Sequence, residues 1–275
     1  MNPLLVVTVI AAIVSLIVWV LSLITHEHSW VDRAWSIVPV IYVWVCAGAA
    51  GLTDLRLTVM AVLVTLWGAR LTANFARKGG YSGEEDYRWA VLRARMKRWQ
   101  FEVFNLFFIV GYQNAVLLLI TLPALTAWEH RETPFGLADA VVAIVFLACL
   151  AGETVADQQQ WNFQLAKKAR LAAGHAGAPR FVQTGLWRFS RHPNFFFEQA
   201  QWWIFYLFAA IAAGTLLNWT VIGAVLLTSI FIGSTRFTES ITLSKYPEYA
   251  DYQARVSAVV PWPPRRARDA HLTAR

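Results

Sequence analysis

The stretch near the start of the chain, PLLVVTVIAAIVSLIVWVLSLI at residues 3–24, restricts what the protein can fold into more than any other feature. It carries no charge, and an apolar helix of roughly 20 residues is long enough to cross the hydrocarbon core of a bilayer. No basic residue precedes the stretch, and no small-residue cleavage site follows it. We therefore interpret it as a retained first membrane span rather than a cleaved signal peptide.

Further apolar stretches predict six more spans. Two of them are uncharged throughout, and a longer stretch at 199–235 is interrupted by Gly214 and Asn218, which predicts a turn between two helices. Two weaker spans contain charged residues. The predicted spans are 3–24, 34–53, 57–77, 103–128, 136–160, 195–215 and 217–238. With 57% hydrophobic and 15% charged residues, the predicted fold class is all-α, a polytopic integral membrane protein with a single membrane domain over residues 1–275.

The distribution of Lys and Arg predicts the orientation. In a seven-span arrangement the basic segments 77–98, 167–191 and 236–275 all lie on one side, while Arg56 and Arg131 lie on the other. The positive-inside rule then places the N-terminus outside and the C-terminus in the cytoplasm. The net charge of +7 is explained by this topology, and we predict no nucleic-acid partner.

The fifth predicted span ends with four polar residues on one helical face. Asp157, Gln160 and Gln164 follow Glu153 by four, seven and eleven positions, and residues at these offsets lie on one side of a helix. A solvated helix end is the alternative explanation. Because Glu153 lies about a turn deeper in the span, we predict a polar cavity.

A second polar stripe lies on the third predicted span. Trp67, Arg70, Asn74 and Arg77 share one face. Charged residues inside membrane helices are costly and often functional. Arg70 is therefore predicted either to contact a ligand or to form a structural ion pair with an acid such as Asp32.

The segment SRHPNFFFEQ at 190–199 predicts an anion site at the start of a membrane helix. Pro193 is suited to the first position of a helix, and Asn194 and Glu198 then lie on one face. The free N–H groups and positive dipole end of a helix attract anions, and Arg191 and His192 stand beside them. Four more basic residues lie upstream: Lys167, Lys168, Arg170 and Arg180. A charged rim with a helix cap is the alternative, but it leaves Glu198 unexplained.

The sequence lacks the motifs of several other enzyme classes. It contains no G-x-G-x-x-G after a strand, no Walker motif and no H-E-x-x-H, and we predict no metal site from the His pair in THEH at 25–28. Cys46 and Cys149 lie inside predicted spans and are expected to be free thiols. Beyond the last span, the spacing of Tyr246, Tyr249 and Tyr252 predicts a short amphipathic helix.

Four segments together resemble one known family. QTGLWRFSRHPNFFFE at 183–198 resembles a signature of the membrane steroid 5α-reductase superfamily. GETVADQQQWNFQ at 152–164, EEDYRW at 84–89 and KYPEYADYQARVSAVVP at 245–261 are similar to other blocks of its bacterial branch. A related but different element occurs in isoprenylcysteine carboxyl methyltransferases.

The resemblance implies a seven-helix enzyme that binds NADPH from the cytoplasmic side. It implies reduction of an activated C=C bond of a lipophilic enone, the Δ4 bond of a 3-oxosteroid. Asn194 and Glu198 match positions at the nicotinamide-ribose end of the cofactor, and Arg236 and Glu239 are the nearest candidates beyond the seventh span. The predicted cofactor-binding residues are Asp157, Lys167, Lys168, Arg191, His192, Asn194, Glu198, Arg236 and Glu239.

The sequence departs from the family pattern where a proton donor is expected. It lacks the Gln-Glu pair of the second helix, and Asn74 stands four residues after Arg70, where the pattern has a Tyr. The predicted catalytic residues are Tyr87, Asp32, Arg70 and Asn74. Tyr112 is a further candidate for the donor.

The sequence is also compatible with two other functions. One is an S-adenosylmethionine-dependent methyltransferase of a lipid or prenylcysteine, and the other is a non-catalytic lipid-binding membrane protein. For the reductase we expect a monomer in the lipid bilayer, the inner membrane in a bacterium, with a steroid-like substrate.

Overall fold

The structure is a computed structural model that describes residues 2–83, 85–174 and 179–265, and helices dominate these ranges. The α-helices are α1 (Pro3–Thr25), α2 (Trp30–Trp35), α3 (Val38–Ala49), α4 (Leu55–Arg77), α5 (Tyr87–Arg95), α6 (Arg98–Phe104), α7 (Gln113–Leu119), α8 (Pro123–Glu129), α9 (Leu137–Ala172), α10 (Pro193–Ala213), α11 (Val221–Lys245) and α12 (Tyr249–Arg255). A π-helical segment, Asn105–Tyr112, joins α6 to α7, and a 3₁₀ turn, Gly185–Arg188, precedes α10.

Local side chains and backbone conformations set the helix ends. Asn2 caps α1 by accepting a hydrogen bond from Leu4 N at 2.9 Å, and Asp54 caps α4 by accepting one from Leu57 N at 2.8 Å. Gly214 ends α10 in the left-handed conformation, with φ of 65°, as glycine does readily. The turn predicted between 199 and 235 is therefore confirmed.

Six helical segments are long and apolar enough to cross a membrane. They are Pro3–Thr25, Trp30–Ala49, Leu55–Arg77, Arg98–Glu129, Leu137–Ala172 and Val221–Lys245. These lengths and compositions support a multi-pass membrane protein. α10 coincides with the predicted sixth span and has 21 residues, but it is not among the six. The seventh span stays a prediction.

The chain divides into two compact units. The first comprises residues 1–147 and 202–227. In it α3 packs along α4, and α1 packs against α3 and α7. Val7, Ala11, Val38 and Tyr42 form one buried apolar cluster. Apolar residues of the predicted spans thus also supply the core of this unit.

A buried ion pair joins α4 to the start of α9 in the first unit. Arg56 Nε lies 2.6 Å from Asp139 Oδ1, and both side chains are almost fully buried. The guanidinium also donates to the carbonyl oxygens of Thr133 and Pro134, at 2.9 and 3.0 Å. Charges buried in this way need full hydrogen bonding, and this set accounts for an acid within the predicted fifth span.

The second unit comprises residues 148–201 and 228–275. Tyr249, Tyr252 and Val256 form a buried cluster, and Phe181 packs against it. Ser190 and Ser257 form an isolated parallel β-bridge, and Arg191 N donates to Ser257 O at 2.8 Å. The segment after α12 therefore runs alongside the residues that lead into α10. α12 itself confirms the short helix predicted after the last span.

Candidate functional site

Buried polar side chains of α9 meet those of α10 in the second unit. Asn194 Nδ2 donates to Asp157 Oδ1 at 3.3 Å, and Gln201 Nε2 donates to Glu153 Oε2 at 2.7 Å. Glu153, Asp157 and Glu198 are buried, with exposures of 3, 4 and 5%. The structure thus brings together Asp157 and Asn194, two of the predicted cofactor residues.

Two buried amide oxygens in this group lack a hydrogen-bond donor within the described part of the chain. They are Asn194 Oδ1 and Gln201 Oε1. A buried acceptor without a donor costs about 1–3 kcal/mol, so a ligand that carries N–H or O–H groups would be bound favourably here. Gln201 carries no signal in the sequence beyond its position seven residues after Asn194, which places it on the same face of α10.

α9 and α10 approach closely because residue 152 is glycine. A Cβ atom at Gly152 would lie 2.5 Å from Cζ of Phe197. With only hydrogen at this position, the aromatic ring packs directly on the backbone of α9. The close approach holds the carboxylates of α9 beside the amides of α10.

Glu239 is the hydrogen-bonding centre of the loop that precedes α10. Arg191 binds it through two parallel contacts, Nε to Oε1 at 2.6 Å and Nη2 to Oε2 at 3.0 Å. Three more groups contact the same carboxylate: His192 Nε2 at 3.1 Å, Tyr249 Oη at 3.3 Å and Gln253 Nε2 at 2.9 Å. Arg191, His192 and Glu239 were all predicted to bind the cofactor, and the structure joins them to one another.

Arg191 also fixes the segment that follows α12. Its Nη1 donates to Gln253 O at 3.0 Å and to Val256 O. Burial raises the pKa of the Tyr249 hydroxyl above its ordinary value, so this group remains a donor to Glu239 at neutral pH. Because its donors and its charge are engaged internally, Arg191 orients the loop before α10 and contributes little free positive charge.

The turn before α10 depends on glycine at residue 185. Gly185 has φ of 63°, a conformation that residues with a Cβ adopt at a cost. The Gln159 side chain occupies the space where a Cβ would stand, and its Oε1 accepts a hydrogen bond from Leu186 N at 2.9 Å. The turn is thereby attached to α9 below it.

The predicted phosphate-binding lysines lie near the end of α9. Lys167 Nζ donates to Arg180 O at 2.8 Å and lies 3.3 Å from Tyr246 Oη, so Lys167 is held in place by its neighbours. Lys168 is exposed, as is Arg236 on α11. These two cations are open to solvent.

The second unit also contains a basic cavity that the sequence does not predict. It has a volume of about 400 Å³ and is formed mainly by the segment after α12. Arg191, Arg255, Arg265 and Trp262 all line it. Nothing in the sequence spacing places Arg255 and Arg265 together, because the contact depends on how the chain folds back after α12.

The predicted proton donors belong to the first unit. Tyr87 begins α5, and half of its surface is exposed. Glu84, which precedes it, lies outside the described residues. Asp32 on α2 is half-buried and accepts a hydrogen bond from Trp89 Nε1 at 3.1 Å. Tyr112 ends the π-helical segment, and its hydroxyl donates to Leu226 O at 3.4 Å.

The polar stripe of α4 forms contacts of its own. Asn74 Oδ1 accepts a hydrogen bond from Arg77 Nε at 2.9 Å. Trp67 is fully buried and packs edge-on against Trp202, with 4.9 Å between the ring centroids. Arg70 is half-buried between these two positions.

The described residues contain no cluster of three or more His, Cys, Asp or Glu that would hold a metal ion. Cys46 and Cys149 are both free thiols.

Comparison with known proteins identifies the family. Residues 18–256 match DUF1295, a family described as a protein of unknown function. The chain belongs to the DUF1295 family. This family is one of steroid 5α-reductase-like membrane proteins, in agreement with the resemblance in the segments at 152–164 and 183–198.

A relative in Schizosaccharomyces pombe is also similar over most of its length. It is an uncharacterised protein, 39% identical over 276 residues, covering 94% of this chain and 80% of the relative. A sequence similar to most of this chain therefore occurs in a yeast as well. No solved structure matches the chain significantly.

Proposed function

We propose that this DUF1295 protein is an NADPH-dependent reductase of a lipophilic enone, with the Δ4 double bond of a 3-oxosteroid as its substrate. The observation that carries the proposal is the buried polar group of α9 and α10 in the second unit. Asn194 Oδ1 and Gln201 Oε1 are buried acceptors that lack donors among the described residues, and Asp157 and Glu198 lie buried on the same two helices. A nicotinamide-ribose end supplies both amide and hydroxyl donors.

The phosphates of the cofactor require cations. Two of the predicted cations are engaged by neighbouring groups, whereas two other arginines line a cavity. Arg191 is neutralised by Glu239, and Lys167 is engaged by a carbonyl and a tyrosine. Arg255 and Arg265 line the cavity of about 400 Å³ together with Trp262. Arg and aromatic side chains suit phosphate and adenine groups. We assign the adenosine-phosphate end to this cavity, with Lys168 and Arg236 as accessory cations.

In this proposal Arg191, His192 and Glu239 position the site. Their hydrogen bonds hold the start of α10 against α11 and α12. The side chains of Asn194 and Glu198 project from the first turns of that helix. An error in the position of the loop would therefore displace both groups.

The chemistry needs a hydride and a proton. NADPH supplies the hydride when bound. Negative charge then develops on the carbonyl oxygen of the enone, and a donor aimed at that oxygen lowers the barrier. We propose Tyr87 as this donor, with Asp32, Arg70 and Asn74 as the other catalytic candidates, because a phenol is protonated at neutral pH.

We also propose that α10 spans the membrane as a seventh helix. Its first residue follows closely on Arg191, which binds Glu239 near the end of α11. The other ends of α10 and α11 are joined by the short segment 214–220. Because α11 is apolar and long enough to cross, α10 must return through the same depth. Seven spans place the N-terminus outside and the C-terminus in the cytoplasm.

For the intact protein we propose a monomer that takes its steroid-like substrate from the lipid bilayer. NADPH is available in the cytoplasm, which is the side of the basic segments. In a bacterium this membrane would be the inner membrane.

The proposal is tested by cofactor binding to the detergent-purified protein. NADPH, NADH and S-adenosylmethionine are compared at equal concentration by thermal stabilisation, and turnover is followed with a 3-oxo-Δ4-steroid. We expect stabilisation by NADPH above the other two and consumption of NADPH on addition of the steroid. Asn194→Ala and Glu198→Ala should each weaken NADPH binding by roughly tenfold, a loss of about one charge-assisted or buried hydrogen bond.

Asn162→Ala is the matched control, because Asn162 is exposed on α9 and accepts a hydrogen bond from Gln158 at 2.8 Å. It should leave NADPH binding unchanged. Stabilisation by S-adenosylmethionine alone would contradict the reductase proposal and indicate a methyltransferase. The absence of stabilisation by any of the three ligands would favour a non-catalytic lipid-binding protein.

A further inference from the structure

A second polar cavity lies in the first unit, where α1 ends and α6 begins. It has a volume of about 500 Å³. The residues that line it are His26, His28, Arg93, Met96, Arg98, Phe101 and Glu102. None of them belongs to the proposed cofactor site, so a ligand in this cavity does not depend on the proposed reductase activity.

His28 is held rigidly at the wall of this cavity. It is 4% exposed, its backbone N–H donates to Glu85 Oε1 at 2.9 Å, and its ring packs edge-on against Phe101 at 4.7 Å. Arg93 Nη2 lies 3.1 Å from His28 Nδ1. Glu85 Oε1 also lies 3.3 Å from Nδ1, but this oxygen already accepts from the His28 backbone N–H and from Arg93. An arginine can only donate, so we assign the shorter contact to an accepting Nδ1 and the ring proton to Nε2. Burial lowers the pKa of His28 below its usual value, which is consistent with a neutral ring.

The cavity therefore presents one unused donor and one unused acceptor. His28 Nε2 is buried and has no hydrogen-bond partner among the described residues, and the same holds for Glu102 Oε2. The first atom needs an acceptor, while the second needs a donor. A buried polar atom without a partner is uncommon in folded proteins, so a ligand that carries both complementary groups would suit the cavity.

The charges around the cavity have both signs. Arg93 is bound to Glu85, with contacts of 2.5 and 2.7 Å, which offsets its charge. Arg98 is exposed at the first position of α6, one turn before Glu102. The lining thus offers a cation and an acid close together, an arrangement that suits a zwitterion better than a simple anion.

The cavity also lies at the ends of two apolar segments long enough to cross a membrane, Pro3–Thr25 and Arg98–Glu129. Apolar side chains near these ends are exposed: Ile24 at 71%, Trp99 at 65% and Val103 at 47%. Exposed apolar surface of this kind faces lipid in a membrane protein, and Trp is enriched at the membrane–water interface. A ligand in the cavity would thus have its apolar part against lipid-facing side chains.

We propose that this cavity binds the headgroup of a phospholipid that carries a phosphodiester and a primary ammonium, as phosphatidylethanolamine does. The phosphate oxygens accept hydrogen bonds from Arg98 and from His28 Nε2, and the ammonium donates to Glu102 Oε2. The acyl chains then extend along the exposed apolar surface near Ile24 and Val103.

The test measures which lipids the detergent-purified full chain retains, by native mass spectrometry after exchange into phosphatidylethanolamine, phosphatidylcholine or phosphatidylglycerol with the same acyl chains. Phosphatidylcholine has the same charges but no N–H donor. We expect phosphatidylethanolamine to be retained about tenfold more strongly, because one charge-assisted hydrogen bond is lost with choline. Equal retention of these two lipids would overturn the proposal.

Variants separate the two ends of the headgroup. Glu102→Gln should lower retention of phosphatidylethanolamine to the level of phosphatidylcholine. Arg98→Gln should lower the retention of all three lipids. Arg131→Gln is the control, because Arg131 is an exposed arginine just beyond the other end of the Arg98–Glu129 segment, and it should change none of them. A Glu102→Gln variant that still prefers phosphatidylethanolamine would contradict the assignment of Glu102.

Soluble glycerophosphoethanolamine distinguishes a lipid from a free phosphoester. It carries the same polar groups without acyl chains, so we expect no retention at the concentration at which the lipid is retained. Retention equal to that of the lipid would overturn the assignment to a membrane lipid.

Discussion

At the scale of single residues, Glu239 has a different role in the structure from the one that its sequence context suggests. Its position near Arg236 favoured a contact with the cofactor. In the structure its carboxylate accepts hydrogen bonds from Arg191, Tyr249 and Gln253 and lies beside His192. The charge of Arg191 is thereby offset, and the loop before α10 is held in place. The cations that bind the cofactor phosphates must then be other residues.

We predict that Glu239→Gln destabilises the protein strongly. The substitution keeps the size of the side chain but leaves the largely buried Arg191 guanidinium without a counter-charge. Removing one partner of a buried pair costs about 3–5 kcal/mol, and the loss is measured by denaturant unfolding in detergent micelles. Glu248→Gln is the control, since Glu248 is half-exposed and lies 3.6 Å from Arg180. It should change the free energy of unfolding by less than about 0.5 kcal/mol. Equal stability of both variants would contradict the role assigned to Glu239.

Tyr87 is the residue on which the proposed proton transfer is tested. Tyr87→Phe keeps the ring and removes only the hydroxyl, so we expect turnover of the enone to fall by roughly a hundredfold or more. NADPH binding, measured on the same sample, should be unchanged.

Tyr81→Phe is the matched control for this experiment. Tyr81 is likewise a partly exposed tyrosine, near the end of α4, and its hydroxyl donates to Arg33 O at 3.3 Å. Its loss should leave turnover within about twofold of the native protein. Full activity in Tyr87→Phe would exclude Tyr87 and transfer the role to Tyr112, Asp32 or the Arg70–Asn74 pair.

At the scale of elements, the hydrophobic pattern predicts helix positions well and their interruptions poorly. The predicted spans 3–24 and 57–77 correspond to α1 and α4 within two residues at each end. The span predicted at 34–53 is divided into α2 and α3 around Ser36, because apolar content indicates that a segment is buried and gives no backbone dihedral angles. The π-helical segment at 105–112 is invisible for the same reason.

The candidate site was predictable where it depends on one helix and unpredictable where it depends on distant segments. Helical spacing places Asn194 and Glu198 on one face of α10. The pairing of Arg191 with Glu239 joins residues 48 positions apart, and Arg255 and Arg265 line the basic cavity only because the chain folds back after α12. Such contacts depend on tertiary packing, which the spacing of residues along the chain does not predict.

The contact between α9 and α10 gives a prediction at this scale. Gly152→Ala introduces a Cβ about where the Phe197 ring packs, so the helices must separate or the ring must turn. Overpacking of this kind costs about 1–3 kcal/mol. It should also weaken NADPH binding, because Asp157 and Asn194 are held across the same contact.

Gly233→Ala is the control for the helical environment, since a Cβ at this position on α11 would meet no atom within 4 Å. Alanine is a better helix former than glycine, so this variant should be as stable as the native protein or slightly more so. Thermal unfolding and NADPH titration are measured on both variants. An unchanged Gly152→Ala protein would mean that α9 and α10 are not held together at this point.

At the scale of the whole molecule, the two compact units divide the predicted residues into two sets. The cofactor candidates Asp157, Asn194 and Glu198 belong to the second unit, whereas Asp32 and Tyr87 belong to the first. Measurements of cofactor affinity and of turnover therefore probe different parts of the chain. Variants of the second unit should be read by cofactor affinity, and variants of the first by turnover at saturating cofactor.

The number of spans determines where the two termini lie, and this gives the last prediction. With seven spans, including α10, the basic segments at 77–98, 167–191 and 236–275 all face the cytoplasm. With six spans and α10 outside the membrane, the last of these segments would be on the opposite side from the other two. The positive-inside rule disfavours that arrangement. α10 has 21 residues, about 31 Å at 1.5 Å per residue, which matches the thickness of the hydrocarbon core.

We therefore expect the N-terminus outside and the C-terminus in the cytoplasm. A reporter that fluoresces only in the cytoplasm should be active when fused after Arg275, and a short tag placed before Met1 should be labelled by a reagent that does not cross the membrane. A third fusion, made in the segment 214–220 between α10 and α11, tests α10 directly. If α10 crosses, this fusion lies outside and the cytoplasmic reporter is inactive. An active reporter at 214–220 together with an inactive one after Arg275 would show that α10 stays on the cytoplasmic side, and would contradict the seven-span topology.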